Sequence, residues 1–166
     1  MKVILVRHEL AGDRKQFAQK YGKKDSLRSL TKNGIQRLEN TVQVLVRLEP
    51  EVDVIYSSPL VRAKQTAEII QTAYKTVDLK ASKLLSPEVP PPRVIDFLHS
   101  ISNENAILVG HEPQLGALLS WLTLKTTTHF LDFKKGAFCA LEIETVQAGS
   151  AKVLWYLPPK KALALY

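Results

Sequence analysis

Two histidines occupy matching places in this chain. His8 follows the run Ile4, Leu5, Val6, Arg7, and His111 follows Ile107, Leu108, Val109, Gly110; a glutamate, Glu9 or Glu112, comes directly after each. Short apolar, β-branched runs of this kind read as buried strands, so a histidine where the run stops sits just past a strand's carboxyl end. In open α/β sheets, ligands bind outside that edge. A third run, Val54, Ile55, Tyr56, Ser57, Ser58, Pro59, ends in the same way and delivers Arg62 one turn into the helix expected after it. Two imidazoles and two guanidiniums, Arg7 and Arg62, over one sheet edge have the makeup of a phosphate site. A guanidinium donates two parallel hydrogen bonds to a phosphate and keeps its charge at neutral pH. A neutral imidazole nitrogen attacks phosphorus well near its reference pKa of about 6.5, and passing through a phosphoimidazole divides the reaction into two easier steps. The second histidine can donate to the phosphoryl oxygens or to the leaving atom, and Gly110 before it leaves room for a close backbone approach.

The elements that must position these groups alternate along the chain. Residues 2–6 form a strand, and Asp13 with Gln16 starts a short helix that Gly22 stops. Thr31 caps a helix over 32–48, where Ile35, Leu38, Val42, Leu45 and Val46 recur at helical spacing and Pro50 ends the pattern. Residues 53–57 are a strand. Ser58 and Pro59 read as N-cap and first-turn proline of a helix reaching Tyr74. A short strand at 77–81 precedes the segment 86–92, which holds four prolines and reads as an irregular surface loop. A helix around Val94, Ile95, Leu98 and Ile101, a strand at 106–110 and a Pro113-initiated helix to Leu124 follow. Residues 137–146 and 152–157, joined around Gly149, read as a closing hairpin. The pattern predicts one domain over 1–166, a three-layer α/β/α sandwich around a mixed, mostly parallel sheet.

Composition narrows the partners. The chain has 166 residues, enough for one core without staples, and its single Cys139 excludes an internal disulfide. No stretch approaches the length of a membrane span and no signal-peptide core precedes Arg7, so the expected location is cytosolic. Lysine and arginine exceed aspartate and glutamate by 23 to 16, for a net charge of +7. Arg14, Lys15, Lys20, Lys23, Lys24, Arg28 and Lys32 cluster against Asp25 alone. Without interleaved aromatics to stack bases, this stretch points to an acidic or phosphorylated partner, or to a solvated face, more than to nucleic acid. A zinc site is disfavoured: neither His-Glu-x-x-His spacing nor paired cysteines occur, and adjacent arginines repel a cation.

The sequence resembles the histidine phosphatase superfamily, and within it the small SixA-type phosphohistidine phosphatases. The resemblance rests on Arg7 and His8, on Leu30 to Gly34, on the series Ser57 to Ala63 with Thr66, on Gly110 and His111, and on the closing hairpin. It implies a phosphoglycerate mutase-like fold without a large cap and a cofactor-free, metal-independent phosphatase. His8 would be the phosphorylated nucleophile, with Arg7, Arg62 and His111 completing the phosphate pocket and Arg28 as a further arginine near it. The implied substrate is a phosphohistidine-bearing protein, either a phosphotransfer domain or a phosphocarrier. Three residues depart from the pattern: Glu9 replaces the usual glycine after the nucleophile, Ser29 a common proline, and Lys135 a small hydroxyl residue. Glu9 could orient an imidazole, hold a substrate cation or face solvent. Family members acting on alkyl phosphates use a carboxylic acid to protonate the leaving alkoxide, and Glu88, the sole acid in the 86–92 loop, is the candidate. A small-molecule phosphomonoesterase with Glu88 as proton donor is therefore the second reading. A non-catalytic basic module holding an acidic protein or nucleic acid is the third.

Overall fold

The computed structural model describes residues 1–22, 24–101 and 105–166; Lys23 of the basic stretch lies outside the described residues. The strands are β1 (Lys2–Arg7), β2 (Val54–Ser57), β3 (Asp78–Ala81), β4 (Ala106–Gly110), β5 (Phe138–Ile143) and β6 (Ala151–Leu157). They form one sheet in the order β3-β2-β4-β1-β5-β6. β3, β2, β4 and β1 run parallel, whereas β5 and β6 return antiparallel as the hairpin.

The period of two along each strand divides the core. Val3, Leu5, Tyr56 and Leu108 face α4 (Pro91–Ser100) and α5 (Gln114–Leu124). Ile4, Val6, Ile55 and Ile107 face α2 (Lys32–Leu48), α3 (Val61–Tyr74) and α6 (Pro159–Leu165). Both faces of the parallel strands are thus covered, which is why those strands read as continuous apolar runs. On α2, Thr31 accepts from the Gly34 amide at 3.0 Å. Leu38, Val42 and Leu45 all lie within 1% of full burial; each leucine contributes roughly 1.5–3 kcal/mol. Short α1 (Arg14–Tyr21) buries no residue and ends at Gly22 with φ of 56°. Among the described residues no helix is long and apolar enough to cross a membrane.

Four expectations need correction. α3 opens at Val61 with Leu60 as N-cap, because the Ala63 and Lys64 amides return to the Leu60 carbonyl while the Ser58 hydroxyl is engaged with His111. The proline-rich segment is not wholly irregular. Pro90 is the N-cap of α4 and Pro91 its first residue, where a fixed φ fits and no amide is needed. The first hairpin strand is shorter, Phe138–Ile143, and the second begins one residue earlier, Ala151–Leu157, with a bulge between Ala140 and Leu141. Helix α6 was not foreseen, since only Pro159 and Ala162 of it are buried and no apolar period shows.

Candidate active site

The three strand ends meet because their registers coincide. Arg7 pairs with Gly110 and Ser57 with Val109, so β1, β4 and β2 stop at one level. The His8 amide donates to the Gly110 carbonyl at 3.0 Å and the Ser58 amide to the Val109 carbonyl at 3.0 Å, carrying the ladder one residue past each strand. This places the imidazoles of His8 and His111 5.0 Å apart between ring centroids, tilted by 56°. Arg62, the second residue of α3, reaches the same point: its Nε–H donates to His8 Nε2 at 3.2 Å.

Two hydrogen bonds fix the chemistry of His8. Its Nδ1–H donates to the Glu9 carbonyl at 2.7 Å, and Nε2 accepts from Arg62. The ring is therefore the Nδ1–H tautomer, with the Nε2 lone pair facing the guanidinium. Burial, reinforced by the charges of Arg62, Arg7 and Arg28, pushes the imidazole down to about 3 against the pull of the Glu9 bond. His111 is likewise pushed down to about 3 by burial and by His8, Arg62 and Arg7. Both rings are neutral at physiological pH, as a nitrogen nucleophile must be. His111 Nε2 is held by Ser58 Oγ at 2.8 Å.

The cations are anchored around these rings. Arg7 donates through Nη1 to the Phe133 carbonyl. The buried Arg7 Nε and His111 Nδ1 have no partner among the described residues, so each has a hydrogen bond still to make. Asp25 binds the arginines on the other side: Arg28 Nε donates to its carboxylate at 2.9 Å and Arg62 Nη1 to its carbonyl at 3.1 Å. Burial pushes the Asp25 carboxyl up, but its bond to Arg28 and the charges of Arg28, Arg62 and Arg14 outweigh burial and hold it below the usual carboxylate range. Asp25 is thus a fixed anion and a poor proton donor.

His8, His111, Arg7 and Arg62 accordingly converge, and Arg28 joins them one layer out, through Asp25. Glu88 does not join them. It is exposed on the turn before α4 and makes no hydrogen bond or ion pair among the described residues. Glu9 is neither a substrate ligand nor a solvated anion: it is fully buried and paired with Arg37 of α2. Cys139 is buried and pushed up to about 12 by burial, which makes it a core thiol. Among the described residues no group of three or more His, Cys, Asp or Glu side chains could hold a metal ion. Sequence reasoning missed Ser58, Asp25 and Arg37. Ser58 looked like a helix cap. Asp25 had a signal in its spacing of three from Arg28, whereas Arg37 meets Glu9 only through the fold.

Residues 3–86 match the family model for the histidine phosphatase superfamily, branch 1. An uncharacterized protein of Picosynechococcus sp. is 30% identical over 156 residues, covering 92% of this chain and 88% of the other. Phosphohistidine phosphatase SixA of Escherichia coli K12 is 26% identical over 166 residues, covering 96% and 94%. Among solved structures, the protein histidine phosphatase SixA complexed with tungstate superposes with a TM-score of 0.81 at 24% identity, covering 96% of this chain and 98% of that one. A phosphoserine phosphatase of Entamoeba histolytica shares the fold with a TM-score of 0.71 at 17% identity, covering 96% and 98%.

Proposed function

The chain belongs to branch 1 of the histidine phosphatase superfamily, and we propose that it is a cytosolic, metal-independent phosphohistidine phosphatase acting on a protein. In this reading His8 Nε2 attacks the phosphorus of a phosphohistidine in line with the bond to be broken. The substrate's P–N bond breaks, and its imidazole, already protonated on the other nitrogen, leaves as a neutral molecule without help from an acid. Arg7, Arg62 and His111 hold the three equatorial oxygens, the two guanidiniums supplying the charge a metal would otherwise provide and the neutral His111 a hydrogen bond. Water then attacks phospho-His8. Because Nδ1–H stays on the Glu9 carbonyl, the His8 ring also leaves neutral, and the water's protons end on the released phosphate.

The observation that carries the substrate class is the state of the acids: Glu112, next to His111 and a charge neighbour of Arg7, accepts from the Phe133 amide at 2.9 Å, which leaves Asp25 and the Glu88 of the second reading. Asp25 is held as a carboxylate by three arginines, and Glu88 is exposed and bonded to none of the site groups. Neither is placed to protonate an alkoxide, which a phosphoramidate does not require. The 26% identity to a phosphohistidine phosphatase over nearly the whole chain supports the same reading. The fold shared with a phosphoserine phosphatase supports the alternative, a small-molecule phosphomonoesterase in which Glu88 swings in as the acid. A purely binding role gives no reason for two neutral, buried imidazoles side by side, one of them accepting from a guanidinium.

Turnover of a phosphohistidine protein beside phosphoserine separates these. The expected result is a higher kcat/KM on phosphohistidine that Glu88→Gln leaves unchanged. Preference for phosphoserine, lost in Glu88→Gln, would establish the small-molecule reading instead.

A further inference from the structure

One buried ionisable group close to the nucleophile takes no part in that mechanism. Glu9 is 0% exposed, directly after His8, and its carboxylate is gripped by Arg37: Nε donates to Oε2 at 2.9 Å and Nη2 to Oε1. The same carboxylate turns back on its own backbone, where the Leu10 amide donates to Oε1 at 2.6 Å. That amide belongs to the peptide unit joining Glu9 to Leu10. The other end of the unit is the Glu9 carbonyl that accepts His8 Nδ1–H at 2.7 Å.

The peptide plane is therefore pinned at both ends, by the imidazole at its oxygen and by the Glu9 carboxylate at its nitrogen. Rotating it to release one bond breaks the other. The surroundings are shaped around this arrangement. The Glu9 amide donates to Thr66 Oγ1 at 3.2 Å, and Thr66 in turn donates to the Arg62 carbonyl at 2.8 Å. Arg37 Nη2 also donates to the Lys135 carbonyl at 3.0 Å. Gly136, at φ of 78°, lies so close that a Cβ there would stand 2.1 Å from Glu9 Oε2.

We propose that Glu9 and Arg37 are a positioning pair that locks the Glu9–Leu10 peptide, and through it the Nδ1–H tautomer and aim of His8. The inference rests on His8 being the nucleophile. An ionised carboxylate on the peptide's N–H polarises the unit and makes its carbonyl a stronger acceptor. The ring thus keeps its proton on Nδ1 and its lone pair on Nε2 through both chemical steps. A glycine at position 9 has no side chain with which to do this.

The experiment reads the tautomer without substrate, by ¹⁵N NMR of histidine-labelled protein at neutral pH, and separately reads kcat and KM. Wild type should show His8 wholly as the Nδ1–H form. Glu9→Ala should show a mixture of tautomers and a kcat about 10- to 100-fold lower, the scale of a misaimed nucleophile, with KM nearly unchanged. Glu9→Gln keeps an amide oxygen for the Leu10 N–H and tests the case in which Glu9→Ala fails to fold; its tautomer should stay largely Nδ1–H with a smaller loss of kcat. Arg37→Lys, which keeps charge without the fork, should recover part of the kcat lost in Arg37→Ala. A folded Glu9 variant with wild-type tautomer and kcat would overturn the proposal. Because the tautomer is measured on the free protein, it stands or falls independently of whether phosphohistidine is the substrate.

Discussion

At the scale of single residues, the cluster sets two histidines that burial keeps neutral beside two permanent cations. His8 and His111 have folded values near 3 against about 6.5 in the unfolded chain. Between those values the unfolded chain binds more protons, so folding stability rises with pH through this window and is fully present above about pH 6.5. Acidification removes it, by at most ~1.4 kcal/mol per pH unit for each imidazole. His111→Asn has one fewer such group, so its Tm should fall less steeply than that of wild type between pH 6.5 and 4. Parallel slopes would show that His111 is not held neutral. The four groups of this cluster were legible in the sequence because each stands at or just beyond the end of a strand-like run. The bonds that tune them were not: Ser58 reads as a cap, and the Glu9–Arg37 pair spans 28 positions that only the docking of α2 closes.

At the scale of elements, the sheet was legible because buried parallel strands leave unbroken apolar runs, and α2 because its buried positions keep a helical period. The ends of elements were less so. Ser58-Pro59 has the composition of a helix start, yet side-chain bonding to His111 moves the start to Val61, and tertiary contact overrides local preference. Short α6 buries too little to announce itself. The element that most directly supports His8 is the start of α2, which docks on the chain leaving it. The Leu10 carbonyl accepts from the Thr31 amide at 2.9 Å, and a Cβ on Gly34 would stand 2.5 Å from that same oxygen. Backbone meets backbone there, so neither side can yield cheaply. Gly34→Ala should destabilise the protein by ~1–3 kcal/mol in urea unfolding. Gly12→Ala, which meets nothing within 4 Å, should stay within about 0.5 kcal/mol of wild type. Equal midpoints for the two would mean that α2 does not pack against the chain leaving His8 as described.

At the scale of the whole molecule, the net charge is +7, and two groups of cations lie beside the cluster. On one side, exposed α1 carries Arg14, Lys15 and Lys20, and exposed Lys24 lies further along the chain toward Arg28. On the other, a groove of about 450 Å³ is lined by Arg7, Arg37, Lys134, Lys135 and Lys160. If the partner is an acidic phosphoprotein, these flanks steer it, and the steering weakens with salt. Neutralising Lys20, Lys23 and Lys24 together should raise KM for the protein substrate and flatten its salt dependence, while leaving hydrolysis of an aryl phosphate unaltered. An equal response of both substrates would show that the α1 flank does not dock protein.

The most direct measurement is rapid-quench capture of the enzyme during turnover of a phosphohistidine protein carrying labelled phosphoryl groups. The prediction is a label on His8 that is stable to base and labile to acid, forming and decaying at rates consistent with kcat, with His8→Ala showing neither label nor turnover. A His8→Ala protein that still hydrolyses phosphohistidine at a near-native rate would contradict nucleophilic attack by this residue, and with it the mechanism assigned to the cluster.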